Sequence, residues 1–214
     1  MDIVVFNGQE KQMAAMQSHT NKLNPLRAHI GKVVSLSETE LDFVLKKFTY
    51  RVVRKNQYLL QEGDVCKCDY YVLSGAIRQY YVHEGKERIT QFGFEDYWVS
   101  DWYSMLHQTP SKFNIDALEQ SEVLQIEKSS LDAIFEHVPK FEKFFRVIFQ
   151  RAFAAQQQRI SYMQKSAEES YLDFSAMFGH FEQRVSQTHI ASFLGITRES
   201  LSRIKNQSLQ KQKK

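Results

Sequence analysis

The strongest constraint on the fold is a series of short, β-rich runs between Tyr50 and Ile126. The runs are rich in β-branched and aromatic residues and read YRVVRK, YYVLSG, AIRQYYVH, ERITQFGF, FNIDALE and EVLQIE. Turn signals separate several of them, at Glu62-Gly63-Asp64, Ser74-Gly75 and Glu84-Gly85. Many short strands at near-regular spacing are typical of an antiparallel barrel or jelly roll. We therefore predict that this part of the chain is a β jelly roll.

Helical patterns flank the β-rich part on both sides. Residues 37–48, SETELDFVLKKF, place Ser37 and Glu40 at the spacing of a capping box, which predicts that a helix begins here. After Leu131 the strand patterns stop. Pro139 suits the first turn of a helix, and neither Gly nor Pro follows before Gln164. The sequence therefore predicts one long helix over 139–164, and further helix over Ser166–Phe181.

The long helix is apolar on more than one side. Its apolar residues recur at steps of three and four, with three more on a flank: Phe141, Phe145, Ile148, Ala152 and Ala155, then Phe144, Phe149 and Phe153. Such a helix has two sides to bury. We expect one side to lie on the jelly roll and the other on a second copy of the chain, which predicts a homodimer. Burial of both sides within one subunit is the alternative.

Charge is distributed unevenly along the chain. Residues 184–214 carry seven cations against Glu199 alone, a net +6, whereas the whole chain is +3, so residues 1–183 sum to −3. A basic end on a mildly acidic body favours a polyanionic partner that touches only that end. A solvated lysine tail is the alternative explanation of the charge.

The composition and the first residues indicate in which cellular compartment the protein is expected. Apolar runs are only a few residues long, so we expect no membrane span. The first residues, MDIVVFNGQEKQ, lack the basic start and apolar core of a secretion signal. Cys66 and Cys68 are the only cysteines, and a C-x-C pair is too close for an easy disulfide. A reduced, cytoplasmic location fits these features best.

The stretch HIASFLGITRESLSRIK, from His189 to Lys205, has the pattern of a helix-turn-helix. Gly195 supplies the corner between two crossing helices, and Thr197 is a good N-cap for the second helix. Leu201 and Ile204 give that second helix one apolar side. Its other side presents cations, a carboxylate and hydroxyls, as expected of a helix exposed for a DNA groove.

These residues carry a resemblance to a known family. Thr197-Arg198-Glu199-Ser200, followed by Arg203, resembles the recognition helix of the CRP/FNR family of bacterial transcription regulators. The resemblance covers nearly the whole chain. It implies an α+β protein with a cyclic-nucleotide-binding-like jelly roll in 1–138, a dimerisation helix in 139–164 and a helix-turn-helix domain in 165–214. It also implies a dimeric, non-enzymatic regulator that binds an inverted repeat in double-stranded DNA.

The resemblance and the chemistry of the bases suggest a role for each polar residue of the motif. Arg198 and Arg203 can each offer a forked pair of donors to a guanine, and Glu199 can accept from a cytosine amino group. The remaining candidates, which are better placed for phosphates, are Ser200, His189 and Lys205. Glu199 is the residue hardest to explain as part of a solvated face, because a carboxylate among phosphates is repelled unless it meets a donor.

The sensory part departs from the family pattern. The family holds a cyclic nucleotide with a Gly-Glu pair for the ribose and an Arg-Ser or Arg-Thr pair for the cyclic phosphate. Aligning Ala117 with the alanine that closes this cassette places Ser100-Asp101 and Ser111-Lys112 at these pairs. The phosphate clamp is therefore lost, since the bidentate arginine is absent and Lys112 is only a point charge. We expect no cyclic nucleotide, and either another small-molecule effector in an aromatic pocket or none.

Other ligands and functions have weaker support in the sequence. An iron–sulfur site needs four cysteines, and a zinc site needs two ligands beyond Cys66 and Cys68. Neither His83 nor His107 has a supporting haem or cupin motif, so we predict no metal, cofactor or enzyme activity. The final NQSLQKQKK is too short for the β wing that follows the family's recognition helix, and its lysines could contact phosphates instead. The alternative function is a small-molecule-binding jelly roll whose helical end docks on a protein partner.

Overall fold

Eight strands form two antiparallel sheets of four strands each. The computed structural model describes residues 21–162 and 165–211. The strands are β1 (Thr49–Val53), β2 (Tyr58–Leu60), β3 (Cys68–Ser74), β4 (Ile77–His83), β5 (Lys86–Gly93), β6 (Trp98–Val99), β7 (Asn114–Ala117) and β8 (Ser121–Glu127). The first sheet has the order β1-β8-β3-β6 and the second the order β2-β7-β4-β5, with every pairing antiparallel. The predicted α+β fold with a jelly roll is confirmed.

Alternate residues of the strands form the core between the two sheets. Val72 and Val123 of the first sheet and Ile77 and Ile115 of the second are fully buried in this inner core. Tyr71, next to Val72 in β3, belongs instead to the core on the opposite side of the first sheet. Because side chains alternate between the two faces of a strand, each sheet also has an outer apolar face to cover.

Helices cover the outer face of the first sheet. They are α1 (residues 21–31), α2 (Glu38–Leu45), α4 (Lys128–His137) and the first half of α5 (Lys140–Tyr162). Phe141, Phe144 and Phe145 of α5 are all buried in this core. The predicted capping box is confirmed, because Ser37 Oγ accepts from the Glu40 backbone and the Glu40 carboxylate accepts from the Ser37 backbone.

The C-terminal helices cover the outer face of the second sheet. This helical end consists of α6 (Ala167–Phe178), a 3₁₀ helix (Gly179–Arg184), α7 (Gln187–Leu194) and α8 (Arg198–Lys211). Tyr80 of β4 and Phe92 of β5 share one core with Phe174 of α6. Beside them the ring of Phe94 stacks on that of Phe181, with centroids 4.1 Å apart. The jelly roll and the helical end are therefore joined through an apolar core.

Some elements were not predicted, and some predictions lie outside the described residues. The pattern missed β2, β6 and α3 (Trp102–His107), each of which is six residues or shorter. It also missed two longer helices, α1 and α4. The predicted helix over 139–164 corresponds to α5, which ends at Tyr162. Expectations for the first twelve residues and for the last lysines fall outside the described part. Within the described residues, no helix is long and apolar enough to cross a lipid bilayer.

Candidate nucleic-acid interface and sensory core

The corner between α7 and α8 has the geometry that its sequence demands. Gly195 adopts φ 71° and ψ 23°, a left-handed conformation that side chains with a Cβ rarely take. Its backbone N–H donates to carbonyls of α7 and ends that helix. Thr197 then caps α8, because its hydroxyl oxygen accepts from the Ser200 backbone N–H at 3.2 Å. The predicted turn and cap are therefore present.

The second helix of the motif has one buried face and one exposed face. Leu201 and Ile204 are buried in the core that joins the helical end to the jelly roll. Arg198, Glu199 and Arg203 are all exposed. A hydrogen bond from its own backbone N–H lowers the pKa of Glu199, so its carboxylate is charged at neutral pH. The structure thus brings the three candidate base-reading residues to the surface of one helix.

The three candidate phosphate contacts lie in different surroundings. Ser200 is half-buried at the first turn of α8. Lys205 is half-buried, and its Nζ lies 2.6 Å from a carboxylate oxygen of Glu182 in the 3₁₀ helix. His189 is half-buried in α7, and its Nε2 lies 3.0 Å from Nη1 of Arg78 in the jelly roll. The hydroxyl of Ser200 accepts from the Thr197 hydroxyl at 3.1 Å, so all three side chains have a partner within the chain.

Arg78 is the centre of a charged network beneath α7. Its guanidinium donates to both carboxylate oxygens of Asp116, at 2.7 and 3.0 Å, and also to Glu87. Burial alone would lower the pKa of Arg78, but the hydrogen bonds with Asp116 and Glu87 raise it. Since arginine cannot accept a hydrogen bond, Nε2 of His189 is the acceptor and His189 is neutral. Burial, together with the Arg78 charge, lowers the pKa of His189 below its ordinary value of 6.5.

Two further polar contacts hold the helical end on the second sheet. The hydroxyl of Ser192 in α7 donates to the Glu87 carbonyl at 2.7 Å and accepts from the Ile89 backbone N–H at 3.1 Å. It thereby satisfies backbone groups of β5, which is an edge strand. Arg184 bridges to the carboxylates of Glu95 and Glu119. Neither contact is predicted by the sequence, because the partners are 65 to 105 residues apart.

The candidate effector residues form a buried hydrogen-bonded pair and one exposed cation. Asp101 is buried and caps α3, where it accepts from the Ser104 backbone N–H at 3.1 Å and from the Ser111 hydroxyl at 2.7 Å. Ser111 is buried, and its hydroxyl also accepts from the Phe113 N–H. Lys112, in contrast, is exposed. The structure brings Asp101 and Ser111 together but uses their polar atoms for local structure.

Apolar side chains fill the space between the sheets near these residues. Tyr70, Met105 and Cys66 are buried there, and the Tyr70 hydroxyl donates to the Leu59 carbonyl at 2.9 Å. Both cysteines are free, and burial raises the pKa of the Cys66 thiol to about 11 and also raises that of Cys68. A protonated thiol is a poor metal ligand. The described residues contain no cluster of three or more His, Cys, Asp or Glu side chains that could hold a metal.

Comparisons with known proteins match the jelly roll and most of the chain. A family model described as the cyclic nucleotide-binding domain matches residues 50–138. The fumarate and nitrate reduction regulatory protein of Yersinia pestis is 30% identical over 188 residues, which cover 79% of this chain and 73% of the relative. Regulatory protein HlyX of Actinobacillus pleuropneumoniae is 28% identical over 179 residues, which cover 78% and 73%. FixK2 of Bradyrhizobium japonicum shares the fold, with a TM-score of 0.64 at 18% identity over 77% of this chain and 85% of that one.

Proposed function

We propose that this chain, which belongs to the CRP/FNR family of bacterial transcription regulators, is a homodimer that reads an inverted repeat in double-stranded DNA. Its relatives are regulators, and the chain is not an enzyme. The proposed division is a sensory jelly roll in 1–138, a dimerisation helix in 139–164 and a DNA-binding domain in 165–214. A regulator of this kind would act in the cytoplasm.

The observation that carries the proposal is the amphipathic character of α8. Its apolar residues anchor it in the core, while Arg198, Glu199 and Arg203 remain exposed on the other side. Arginine can donate two parallel hydrogen bonds to a guanine, and a carboxylate can accept from a cytosine amino group. We propose that these three residues read bases in the major groove.

The proposed phosphate contacts differ in what they require. The hydroxyl of Ser200, in the first turn of α8, accepts from Thr197 within the same helix turn and keeps its own proton to donate to a phosphate. His189 and Lys205 first have to leave Arg78 and Glu182. We therefore propose that full phosphate contact accompanies a rearrangement of the helical end on the second sheet.

An exposed apolar face of α5 supports the homodimer. Phe153 and Ile160, seven residues apart, are each 64% exposed, and Phe149, four residues before Phe153, is 39% exposed. Residues at this spacing lie along one side of a helix. A face of this kind is stable in water when a second copy covers it, so we propose that α5 pairs with α5 of the partner along this seam.

We propose that cyclic AMP and cyclic GMP are not the effectors. Asp101 already accepts two hydrogen bonds, and the donors are Ser104 and Ser111, with no arginine among the described residues that donate to it. Lys112 is exposed and offers only a point charge. The effector, if one exists, is another small molecule.

Selection from a random DNA library, followed by mobility-shift titration, tests the DNA-binding function. The selected site should be an inverted repeat with half-site centres about one helical turn apart. Arg198→Ala and Arg203→Ala should each cost about 1–3 kcal/mol and relax preference at one base pair per half-site. Arg54→Ala, which removes an exposed cation of the jelly roll, is the matched control and should leave affinity unchanged.

Two further variants separate base reading from charge. Lys205→Ala should weaken binding to all sequences alike and lower the salt slope by about one. Glu199→Ala should broaden specificity while affinity for non-specific DNA holds or rises, because a negative charge leaves the interface. A selection that returns no repeat, or equal losses on all DNA for every variant, would contradict the proposal. Absence of any retarded fragment would favour the alternative in which the helical end docks on a protein.

A further inference from the structure

A cavity lies between the jelly roll, α5 and the helical end. Its volume is about 490 Å³, within the range of small-molecule sites. Strand β5 contributes one wall, α5 a second, and α6 and α7 a third. It is separate from the space between the two sheets, where the family holds its cyclic nucleotide and where this chain packs Tyr70 and Met105.

The walls of the cavity are mainly apolar, and two small residues of α5 leave it open. Ala152 and Ala155 of α5 face it from successive turns, and a larger side chain at either position would reduce the space. Opposite them lie the rings of Phe92, Phe174 and Phe193. Such walls suit the flat apolar body of an aromatic ligand.

Arg159 of α5 lines the cavity and is incompletely paired. Its Nη2 donates to the Ile89 carbonyl at 2.6 Å, and its guanidinium lies 4.6 Å from the centroid of the Phe193 ring. Within the described part of the chain, no carboxylate forms an ion pair with it. Burial lowers the pKa of Arg159 from its ordinary value. A half-buried cation without an anion is costly, and a guanidinium has five N–H donors to satisfy.

The charge of the cavity lining is mainly positive. Arg151 adds a second cation to Arg159, whereas Asp96 is the one carboxylate among the described lining residues. The ring nitrogens of His29 and the indole Nε1 of Trp98 also lack hydrogen-bond partners among the described residues, but these atoms are fully buried and do not open onto the cavity. A positive lining with an incompletely paired guanidinium calls for an anionic ligand with acceptor atoms.

We propose that this cavity binds a small amphipathic anion, namely an aromatic carboxylate or a close chemical equivalent. The aromatic body lies between the phenylalanines and the two alanines, and the anionic group pairs with the Arg159 guanidinium. Occupation of the cavity would contact β5, α5 and the helical end together. The binding site itself does not depend on whether the chain binds DNA.

Calorimetric titration of the full chain with naphthalene carboxylate and with the neutral naphthalene carboxamide tests this site. The carboxylate should bind at least about tenfold more tightly, since only it can pair with Arg159. Arg159→Gln keeps a donor for the Ile89 carbonyl and should remove this preference. Arg54→Gln, which removes an exposed cation that does not line the cavity, is the control and should keep this preference.

Filling the cavity provides a second, independent arm. Ala155→Phe should abolish binding of both compounds, and Ala152→Phe fills the same space from the preceding turn should the first variant not fold. Equal affinities for the two compounds, no binding of either, or wild-type affinity for the carboxylate in Arg159→Gln would overturn the proposal. Retained binding in the folded cavity-filling variant would also overturn it.

Discussion

Replacing Arg78 by Met should strongly destabilise the protein, because the change leaves a buried carboxylate without its partner. Asp116 is 3% exposed, and in the structure both of its oxygens accept from the Arg78 guanidinium. Removing one member of a buried ion pair costs about 3–5 kcal/mol, since the remaining charge stays desolvated. The second partner, Glu87, has a side chain that is 45% exposed, so water can replace its lost contact at little cost.

A matched control separates burial from charge. Arg27 pairs with Glu38 at 2.8 Å, but the Glu38 side chain is 79% exposed. Arg27→Met should therefore lower the free energy of unfolding by less than about 1 kcal/mol. The two substitutions remove the same side chain from ion pairs of similar length, but Arg78 and Asp116 are both buried, whereas Arg27 is only partly buried and Glu38 is exposed to solvent.

A rescue variant tests the physical reason directly. Arg78→Met combined with Asp116→Leu replaces the pair by apolar side chains and should recover most of the lost stability. The free energy of unfolding can be measured by urea titration with Trp98 and Trp102 fluorescence, and circular dichroism should give the same transition. A loss below about 1 kcal/mol for Arg78→Met would refute the reasoning. A double variant whose loss equals the sum of the two single losses would refute it as well.

Three other expectations follow from separate features of the molecule. Phe153→Glu with Ile160→Glu places like charges along the proposed α5 seam and should give monomers by analytical ultracentrifugation; a remaining dimer would show that the seam is elsewhere. Cyclic AMP should bind weakly or not at all, and calorimetry showing micromolar or tighter binding would contradict the lost clamp, with Lys112→Ala as the test of the one remaining cation. The pKa of His189 is lowered in the docked state, so docking of α7 favours the neutral imidazole. Docking is therefore at full strength above pH 6.5 and should weaken as the pH falls below 6.5, where the undocked His189 gains a proton. The protection of β5 amides relative to their intrinsic exchange rate at each pH should therefore fall on acidification. His189→Gln, whose side-chain oxygen can still accept from Arg78, should remove that dependence.

The sequence predicted elements whose signals are local. The Ser37 capping box, the Gly195 corner and the Thr197 cap each depend on residues within a few positions, and each is present. Strands β2 and β6 have three and two residues, too few for alternation to be detected, and their pairing with β7 and β3 defines them. Asp101 did carry a local signal, because an aspartate three positions before Ser104 is the pattern of an N-cap.

The partners of the polar residues could not be predicted in the same way. The amphipathic pattern of α8 and its flanks predicts which side chains lie on the polar face of the helix. It does not predict whether another element of the chain contacts those side chains. Arg203 lies on the polar face and is exposed, whereas Lys205, two residues later, forms an ion pair with Glu182. His189 meets Arg78, which lies 111 positions away and is placed there by the register of β4 with β7. For DNA binding the distinction matters, because an exposed cation can meet a phosphate at once, whereas a paired cation first gives up an ion pair.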